Sequence, residues 1–223
     1  MNHFPKAVMA SRIEPHDSLD FFPTPPWGVR ALLTHCISVR GCFVWEPACG
    51  EGHMSRPIAE FAKHVYASDV RDYGWGNKVH DFLMPFTPAG LGPLDWIITN
   101  PPFRLAEQFI RRGLEVAPNV AMLVRSTFTE SEGRYRDLFS RTPPIMIAQF
   151  AERLPMFKGR IVEDGSSATA YCWMVWSRNN PFSTETVFKW IPPCRDQLER
   201  PSDYASHAAD DSLVGTLFEG MAP

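Results

Sequence analysis

Four consecutive residues, Asn100-Pro101-Pro102-Phe103, combine an amide, a stiff turn and an aromatic ring. The apolar run 95–99 before them predicts a buried strand, which the prolines end because they lack a backbone N–H. In an open α/β sheet, ligands bind just beyond the carboxyl end of such a strand. The Asn100 side-chain oxygen and the Pro101 carbonyl could accept the two hydrogens of an exocyclic amine, and Phe103 could stack on its ring. A proline turn with a core Phe is the structural alternative.

Two acids stand at the ends of earlier predicted strands. Glu46 follows the apolar run 42–45, and a loop with Gly50 and Gly52 comes next. This loop differs from the dinucleotide and phosphate loops, and an acid there favours a cationic group such as an ammonium. Asp69 lies 23 residues after Glu46, close to the ~20-residue spacing at which a second-strand carboxylate binds ribose hydroxyls. A surface acid that caps a loop is the alternative for Asp69.

A third acidic position completes a candidate ligand set. Asp81 and Phe82 follow a weak strand pattern and could meet an adenine amine and its ring. An ammonium at Glu46, a ribose at Asp69 and an adenine at Asp81-Phe82 are all parts of S-adenosylmethionine. The methyl group on its sulfonium is transferable, so the pattern indicates methyl transfer to an amine.

Strands that alternate with helices predict how these residues are positioned. The alternation indicates an α/β fold with a mostly parallel sheet covered on both faces. The prolines of segment 20–27 force an extended path into a first helix, and this segment either packs that helix down or forms a lid over the cofactor. The predicted helices span 27–38, 55–63, 104–115 and 131–140, and the predicted strands span 42–45, 64–70, 79–83, 95–99, 120–124, 145–150 and 168–176.

The length of 223 residues predicts one globular domain. We expect a flexible arm over 1–19, a catalytic domain over 20–178 and a C-terminal extension over 179–223 that is partly ordered at best. The stretch 152–167 is predicted to be a surface loop near the cleft. No apolar run is long enough for a membrane span, and the start of the chain lacks the apolar core of a signal peptide, so we expect a cytoplasmic protein without a membrane partner.

Composition excludes several classes of protein. Five cysteines without a C-x-x-C pair indicate neither a disulfide framework nor a zinc site, and no metal is expected. The net charge of −3 is a whole-chain average. Ten basic and six acidic residues lie in 100–160, whereas two basic and six acidic residues lie in 195–223. A basic middle suits a polyanionic substrate, although solvated helix faces would give the same pattern.

Taken together, these motifs resemble the S-adenosylmethionine-dependent amino-methyltransferases. The resemblance is greatest to the DNA adenine-N6 methyltransferases in which the cofactor motif precedes the catalytic one. The combination of the segment Pro23-Thr24-Pro25-Pro26 with a short chain is also similar to phage and prophage DNA methyltransferases. The matching stretches, in the family's order, are Phe22-Pro23-Thr24-Pro25, Glu46-Pro47-Ala48-Cys49-Gly50-Glu51-Gly52, Asp69, Asp81-Phe82-Leu83 and Asn100-Pro101-Pro102-Phe103.

The resemblance implies a Rossmann-like, seven-stranded class I methyltransferase sheet with an antiparallel last strand. It also implies direct in-line transfer to the N6 amine of a flipped-out adenine, with Phe103 and a second aromatic, Tyr171 or Trp173, on either side of the base. No covalent intermediate is needed, so Cys49 is not expected to be a nucleophile. The implied catalytic residues are Asn100, Pro101, Pro102 and Phe103, and the implied cofactor-binding residues are Phe22, Pro23, Thr24, Glu46, Ala48, Gly50, Asp69, Val70, Asp81 and Phe82.

The substrate stays open among related chemistries. Duplex or single-stranded DNA is the first expectation, with relaxed or very short sequence specificity because little chain is left for a recognition domain. An RNA adenine or protein glutamine methyltransferase could use the same catalytic motif on a planar amine or amide. A non-catalytic partner subunit with this fold is the alternative from another class. The oligomeric state is open.

Overall fold

The computed structural model describes residues 20–85, 87–88, 91–178 and 185–204, and their eight strands form one sheet. The predicted arm over 1–19 lies outside the described residues, as does part of the predicted C-terminal extension. The strands are β1 (Phe43–Glu46), β2 (His64–Asp69), β3 (Lys78–Val79), β4 (Trp96–Thr99), β5 (Asn119–Arg125), β6 (Met146–Phe150), β7 (Tyr171–Ser177) and β8 (Val187–Ile191).

The strand order of the sheet is β3-β2-β1-β4-β5-β7-β6-β8. Strands β1 to β5 pair in parallel, and β8 is parallel to β6. Strand β7 is antiparallel to both of its neighbours, β5 and β6. The predicted Rossmann-like α/β class with an antiparallel seventh strand is confirmed, and β8 extends the sheet by one strand beyond the seven expected.

Short helices connect the strands. Pro25 precedes the first helix and Pro26 occupies its first turn, where a missing N–H costs nothing. The helices are α1 (Pro26–His35), α2 (Ser55–Ala59), α3 (Ala106–Val116), α4 (Glu132–Arg134) and α5 (Arg195–Leu198), with a π-helical turn over Tyr135–Phe139 and 3₁₀ turns over Phe103–Leu105, Ser126–Thr129 and Pro201–Tyr204. No helix within the described ranges is long and apolar enough to cross a membrane.

Apolar side chains fill both faces of the sheet. Successive residues of a strand point to opposite faces, and the central strands show this directly. In β4, Trp96 and Ile98 join one buried cluster, whereas Ile97 joins the other. Strand β7 is buried along its first six residues, which alternate between the same two clusters. The sheet is therefore a rigid platform between two packed layers, and the loops at its carboxyl edge are held in place.

The described part of the predicted C-terminal extension belongs to this platform. Strand β8 pairs with β6 over five residues. The residues after β8 contact the first helix. Arg30 of α1 is 4% exposed, and its guanidinium donates to the Asp203 carboxylate at 2.8 Å and to the Glu60 carboxylate at 2.9 Å. Removing one partner of such a buried ion pair is strongly destabilising because it leaves a buried charge uncompensated. Residues 187–204 therefore help to hold α1 and α2 against the sheet.

Candidate active site

A cleft of about 210 Å³ opens at the carboxyl ends of β1, β2 and β4, where an open α/β sheet places its ligands. Eleven of the predicted site residues line it. They are Phe22, Pro23, Thr24, Glu46, Ala48, Asp69, Val70, Asp81, Phe82, Asn100 and Pro102. The other three predicted site residues, Gly50, Pro101 and Phe103, do not line it.

Glu46 lies at the bottom of the cleft and is 1% exposed. The Ser55 hydroxyl at the start of α2 donates a hydrogen bond to its carboxylate. Burial raises the pKa of Glu46 to about 8, and the nearby charge of Asp69 adds to this rise. The Ser55 hydrogen bond and the positive charge of Arg56 oppose this rise only in part, so the charged form of the buried carboxylate stays costly. A cationic ligand in the cleft would relieve that cost and return Glu46 to its charged form.

Asp69 joins the second strand to the glycine loop. Its carboxylate accepts the Gly50 N–H at 3.0 Å and the Arg71 N–H at 3.2 Å. Burial raises the pKa of Asp69, while these backbone hydrogen bonds oppose the rise. Gly50 has a positive φ of 49°, and a Cβ there would lie 2.5 Å from the Phe21 ring. The loop therefore needs glycine at position 50 both for its backbone conformation and for close packing.

Three further predicted cofactor-binding residues, Phe82, Asp81 and Val70, differ in how far they are buried. Phe82 is 1% exposed, and its ring lies 5.0 Å from those of Trp45 and Phe109, so it is a core residue that also faces the cleft. Asp81 accepts the Leu83 N–H at 3.0 Å. Val70, by contrast, is 57% exposed at the mouth of the cleft. All three residues line the cleft.

The two polar atoms of the Asn100 amide have different environments. Its Nδ2 donates to the Phe22 carbonyl at 2.7 Å. Its Oδ1 is buried and accepts no hydrogen bond from any described residue. A buried acceptor without a donor is unfavourable. Since Asn100 lines the cleft, an incoming N–H donor could satisfy this oxygen. Thr24 is similar: it lines the cleft, and its hydroxyl is buried without a partner among the described residues.

Phe103 is half-buried and already packed on several sides. Its ring lies 5.1 Å from Phe22 and 6.1 Å from Tyr171, and the Arg125 guanidinium stands 4.3 Å from its centroid. Of the two proposed second aromatics, Tyr171 lies beside Phe103. Trp173 is fully buried and donates its indole N–H to the Gly28 carbonyl. In this state Arg125 occupies space beside the ring that a substrate would need for stacking.

Other groups at the cleft were not predicted as site residues. Asp20 and Phe21 line it from the lead-in, and Tyr73 lines it from the loop after β2. The Phe21 and Tyr73 rings are 5.4 Å apart. The Asp20 carboxylate accepts the Phe103 N–H at 2.7 Å. These contacts join residues that are far apart in the chain. The only signal for them in the sequence was that Asp20 and Phe21 directly precede the matching stretch Phe22-Pro23-Thr24-Pro25.

Two further observations limit the chemistry. Burial raises the pKa of the Cys49 thiol, and the charges of Glu46 and Asp69 raise it further. Thiol nucleophiles need a lowered pKa, so Cys49 is a poor nucleophile, as expected. Among the residues that the structure describes, no group of His, Cys, Asp or Glu is arranged to hold a metal ion.

No protein-family model and no curated protein sequence matches the chain. Solved structures with the same fold include a protein from Pyrococcus horikoshii named for a proposed RNA methyltransferase activity. It aligns at 16% identity with a TM-score of 0.55, over 74% of this chain and 90% of that chain.

Two restriction-modification proteins share the fold as well. The type I methyltransferase subunit from Streptococcus thermophilus aligns at 9% identity with a TM-score of 0.55, over 76% of this chain and 47% of its own. A modification subunit of a proposed type I restriction enzyme from Vibrio vulnificus aligns at 13% identity with a TM-score of 0.51, over 91% of this chain and 54% of its own. The chain thus spans about half the length of these two proteins. At such identities the likeness establishes the class I methyltransferase fold.

Proposed function

We propose that this chain is an S-adenosylmethionine-dependent methyltransferase that methylates the exocyclic N6 amine of adenine in DNA. The observation that carries the proposal is the unsatisfied Asn100 Oδ1. Its residue lines the same cleft as a buried acid, Glu46, and a strand-end acid, Asp69. A hydrogen-bond acceptor for an amine and a set of acids for a cationic nucleoside are thereby joined in one cavity.

The cleft has suitable groups for the cofactor. Glu46 would hold the ammonium of its methionine part, and Asp69 would accept hydrogen bonds from its ribose. Asp81 and Phe82 would contact the adenine, and the unpartnered Thr24 hydroxyl could donate to the carboxylate. When bound, S-adenosylmethionine supplies an electrophilic methyl group that the amine attacks directly.

Asn100 would activate the acceptor amine. The lone pair of an aryl amine is delocalised into its ring, which makes the nitrogen a poor nucleophile. Hydrogen bonds from the amine to Asn100 Oδ1 and to the Pro101 carbonyl would favour a tetrahedral nitrogen with a localised lone pair. Both acceptors belong to one proline-stiffened turn, so their stabilisation of the developing charge would need little rearrangement.

The matched lead-in over 22–25 favours DNA as the substrate. An adenine inside a duplex cannot reach this cleft, so it would be flipped out or presented in a single strand. We propose that sequence specificity is relaxed or very short. Mapping of methylated sites in DNA would contradict this part if it returned one long recognition sequence.

The function can be tested by methyl transfer from labelled S-adenosylmethionine. The substrates are unmethylated duplex DNA, single-stranded DNA, RNA and a protein extract, and the products are identified by nucleoside and amino-acid mass spectrometry. We expect N6-methyladenine in DNA with the natural chain and none with Asn100→Ala. Cofactor binding by both proteins is measured by isothermal titration.

Each other outcome has a distinct meaning. Methyl groups in RNA or in protein glutamine would keep the chemistry and replace the substrate. Cofactor binding without transfer to any substrate would support a partner subunit in place of a complete enzyme. Failure of the natural chain to bind S-adenosylmethionine would overturn the proposal.

A further inference from the structure

The segment Asp20–Thr24, which we call the strap, crosses the cleft and is hydrogen-bonded to two separate parts of the fold, the turn 100–103 and the loop between β6 and β7. The Asp20 carboxylate accepts the Phe103 N–H at 2.7 Å. The Phe21 carbonyl accepts the Gly159 N–H at 2.9 Å, from the loop between β6 and β7. The Phe22 carbonyl accepts Asn100 Nδ2 at 2.7 Å. Every strap residue also lines the cleft.

The Phe22 contact decides which end of the Asn100 amide faces the acceptor. An amide side chain carries a donor at one end and an acceptor at the other, and half a turn exchanges them. With Nδ2 bound to the Phe22 carbonyl, Oδ1 is left as the end without a partner. If the amide turned round, two acceptor oxygens would face each other across the strap, and Nδ2 could not accept hydrogens from an amine.

Asp20 is the side chain that fastens the strap at this point. The N–H that it binds belongs to the first residue of the 3₁₀ turn Phe103–Leu105, and such leading N–H groups have no partner within their own turn. Asp20 therefore ties the strap to the residue that ends the catalytic motif. The Phe22 carbonyl, two residues further on, is thereby held beside Asn100. The Phe21 ring packs against Tyr73 at 5.4 Å on the cofactor side.

We propose that Asp20 is a positioning residue for methyl transfer: it fixes the strap so that the Phe22 carbonyl keeps Asn100 Oδ1 turned toward the acceptor. The strap would then be part of the acceptor site as well as a wall of the cofactor site. This inference rests on the proposed function for its consequence in catalysis. Its structural half, the orientation of Asn100, can be measured without any substrate.

The structural half is tested by hydrogen exchange of side-chain amides in protein labelled with ¹⁵N-asparagine. The chain has six asparagines, and Asn100→Asp assigns the signal of interest. We expect the Asn100 amide to exchange about tenfold faster in Asp20→Ala than in the natural chain, because its hydrogen bond opens more often. Asn119, which donates to the Asp95 carbonyl at 3.1 Å at the opposite end of β4, is the internal reference and should not change.

The catalytic half is tested by comparing kcat with cofactor affinity. Asp20→Ala should lower kcat on the order of tenfold or more, since small misplacements of a reacting group are costly, while the Kd for S-adenosylmethionine changes less than about threefold. Asp20→Asn keeps an oxygen acceptor for the Phe103 N–H and should restore most of the kcat.

A matched control lies at the opposite end of β4. Asp95 accepts the Phe43 N–H at 2.8 Å, the same kind of bond as that of Asp20 but far from the cleft. Asp95→Ala should lower the melting temperature and leave both kcat and the exchange of Asn100 unchanged.

The outcomes separate this inference from the proposed function. Unchanged Asn100 exchange in Asp20→Ala would overturn the inference, and so would faster exchange with an unchanged kcat. A large loss of cofactor affinity with a normal kcat at saturation would assign Asp20 to cofactor retention and overturn it as well. If the natural chain transfers no methyl group, the proposed function fails, and the exchange measurement still decides whether Asp20 fixes the Asn100 amide.

Discussion

The two halves of the cleft are built in different ways. In the cofactor half, the two strand-end acids are held by residues fewer than twenty positions away in the chain: Glu46 by Ser55, nine residues on, and Asp69 by Gly50, nineteen residues before it. In the acceptor half, the contacts of Asn100 and Phe103 with the strap join residues 78 and 83 positions apart. The cofactor half is thus locally encoded, whereas the acceptor half exists only when distant segments meet.

This difference predicts that the halves can be damaged separately. A change at a strand-end acid should affect cofactor binding, because its supporting loop belongs to the same unit. A change at the acceptor turn should affect turnover and leave cofactor affinity intact. The following substitutions test that separation, in order of decreasing effect.

Asn100→Ala should have the largest effect. Loss of a preorganised hydrogen-bond group costs about 10²–10³ in kcat in comparable sites, and we expect a loss of that size with the Kd for S-adenosylmethionine unchanged within about twofold. Asn119→Ala is the control, because Asn119 donates to the Asp95 carbonyl at the opposite end of β4. A parallel loss of cofactor affinity in Asn100→Ala would show that the halves are not separate.

Glu46→Gln should act on the cofactor half. Loss of a buried charge partner for an ammonium corresponds to roughly 2–3 kcal/mol, or about 30- to 150-fold in Kd. The kcat at saturating cofactor should fall much less than in Asn100→Ala. The same substitution at Glu107, which pairs with Arg111 on the surface of α3, serves as the control and should leave the Kd unchanged. Equal cofactor affinity in Glu46→Gln and the natural chain would remove Glu46 from the site.

The pKa of Glu46, raised by burial to about 8, also makes the stability of the cofactor-free protein depend on pH. The folded state keeps the Glu46 proton over the range from about pH 4.5 to 8, whereas the unfolded state has lost it. The unfolded state therefore binds fewer protons there, and the free energy of unfolding contributed by Glu46 falls as pH rises through this range.

Glu46→Gln removes this contribution. Between pH 5 and pH 9 the natural chain should lose on the order of 4 kcal/mol more than the variant, measured by urea unfolding at each pH without cofactor. The variant should thus be the more stable protein at pH 9 although it binds cofactor poorly. Parallel pH curves for the two proteins would show that Glu46 titrates normally.

Arg125→Ala should have the smallest effect and should be confined to the acceptor half. The guanidinium lies 4.3 Å from the centroid of the Phe103 ring, and exposed cation–π contacts contribute about 0.5–1 kcal/mol. We expect the KM for DNA to fall about threefold, because the base no longer has to displace the guanidinium from the ring, with an unchanged cofactor Kd and an unchanged salt dependence of KM. A salt slope that falls by about one would instead mean that Arg125 leaves the ring to bind a phosphate.

The sequence was most informative where a site residue ends its own strand. The acids Glu46 and Asp69 and the amide Asn100 follow strands with recognisable apolar patterns, and parallel strands bring their carboxyl ends to one edge of a sheet. The structure places these three residues on one cleft, as the strand pattern required. The roles assigned to them stay predictions.

Charge and aromatic patterns were less decisive. The basic stretch 100–160 was compatible with a surface that binds a polyanion. On α3, however, Arg111 pairs with Glu107 and Arg112 pairs with Glu115, as expected for the alternative, a solvated helix face. Tyr171 and Trp173 point to the same face of β7 and looked equivalent in sequence. What distinguishes them is how far along β7 each one lies: Tyr171, the first residue of the strand, meets Phe103, whereas Trp173 donates to Gly28 within the core.

The sequence by itself determined the α/β class, the strand-end acids and the amide–proline–proline–aromatic turn, because these depend on local periodicity and on residue types that end strands. The tertiary structure alone decided that Asp20 binds the Phe103 N–H, that the Phe22 carbonyl orients Asn100, and that Arg125 stands over Phe103. Such contacts depend on sheet register and on the path of a segment across the sheet edge. No local pattern specifies these, because they are fixed only when the whole core packs.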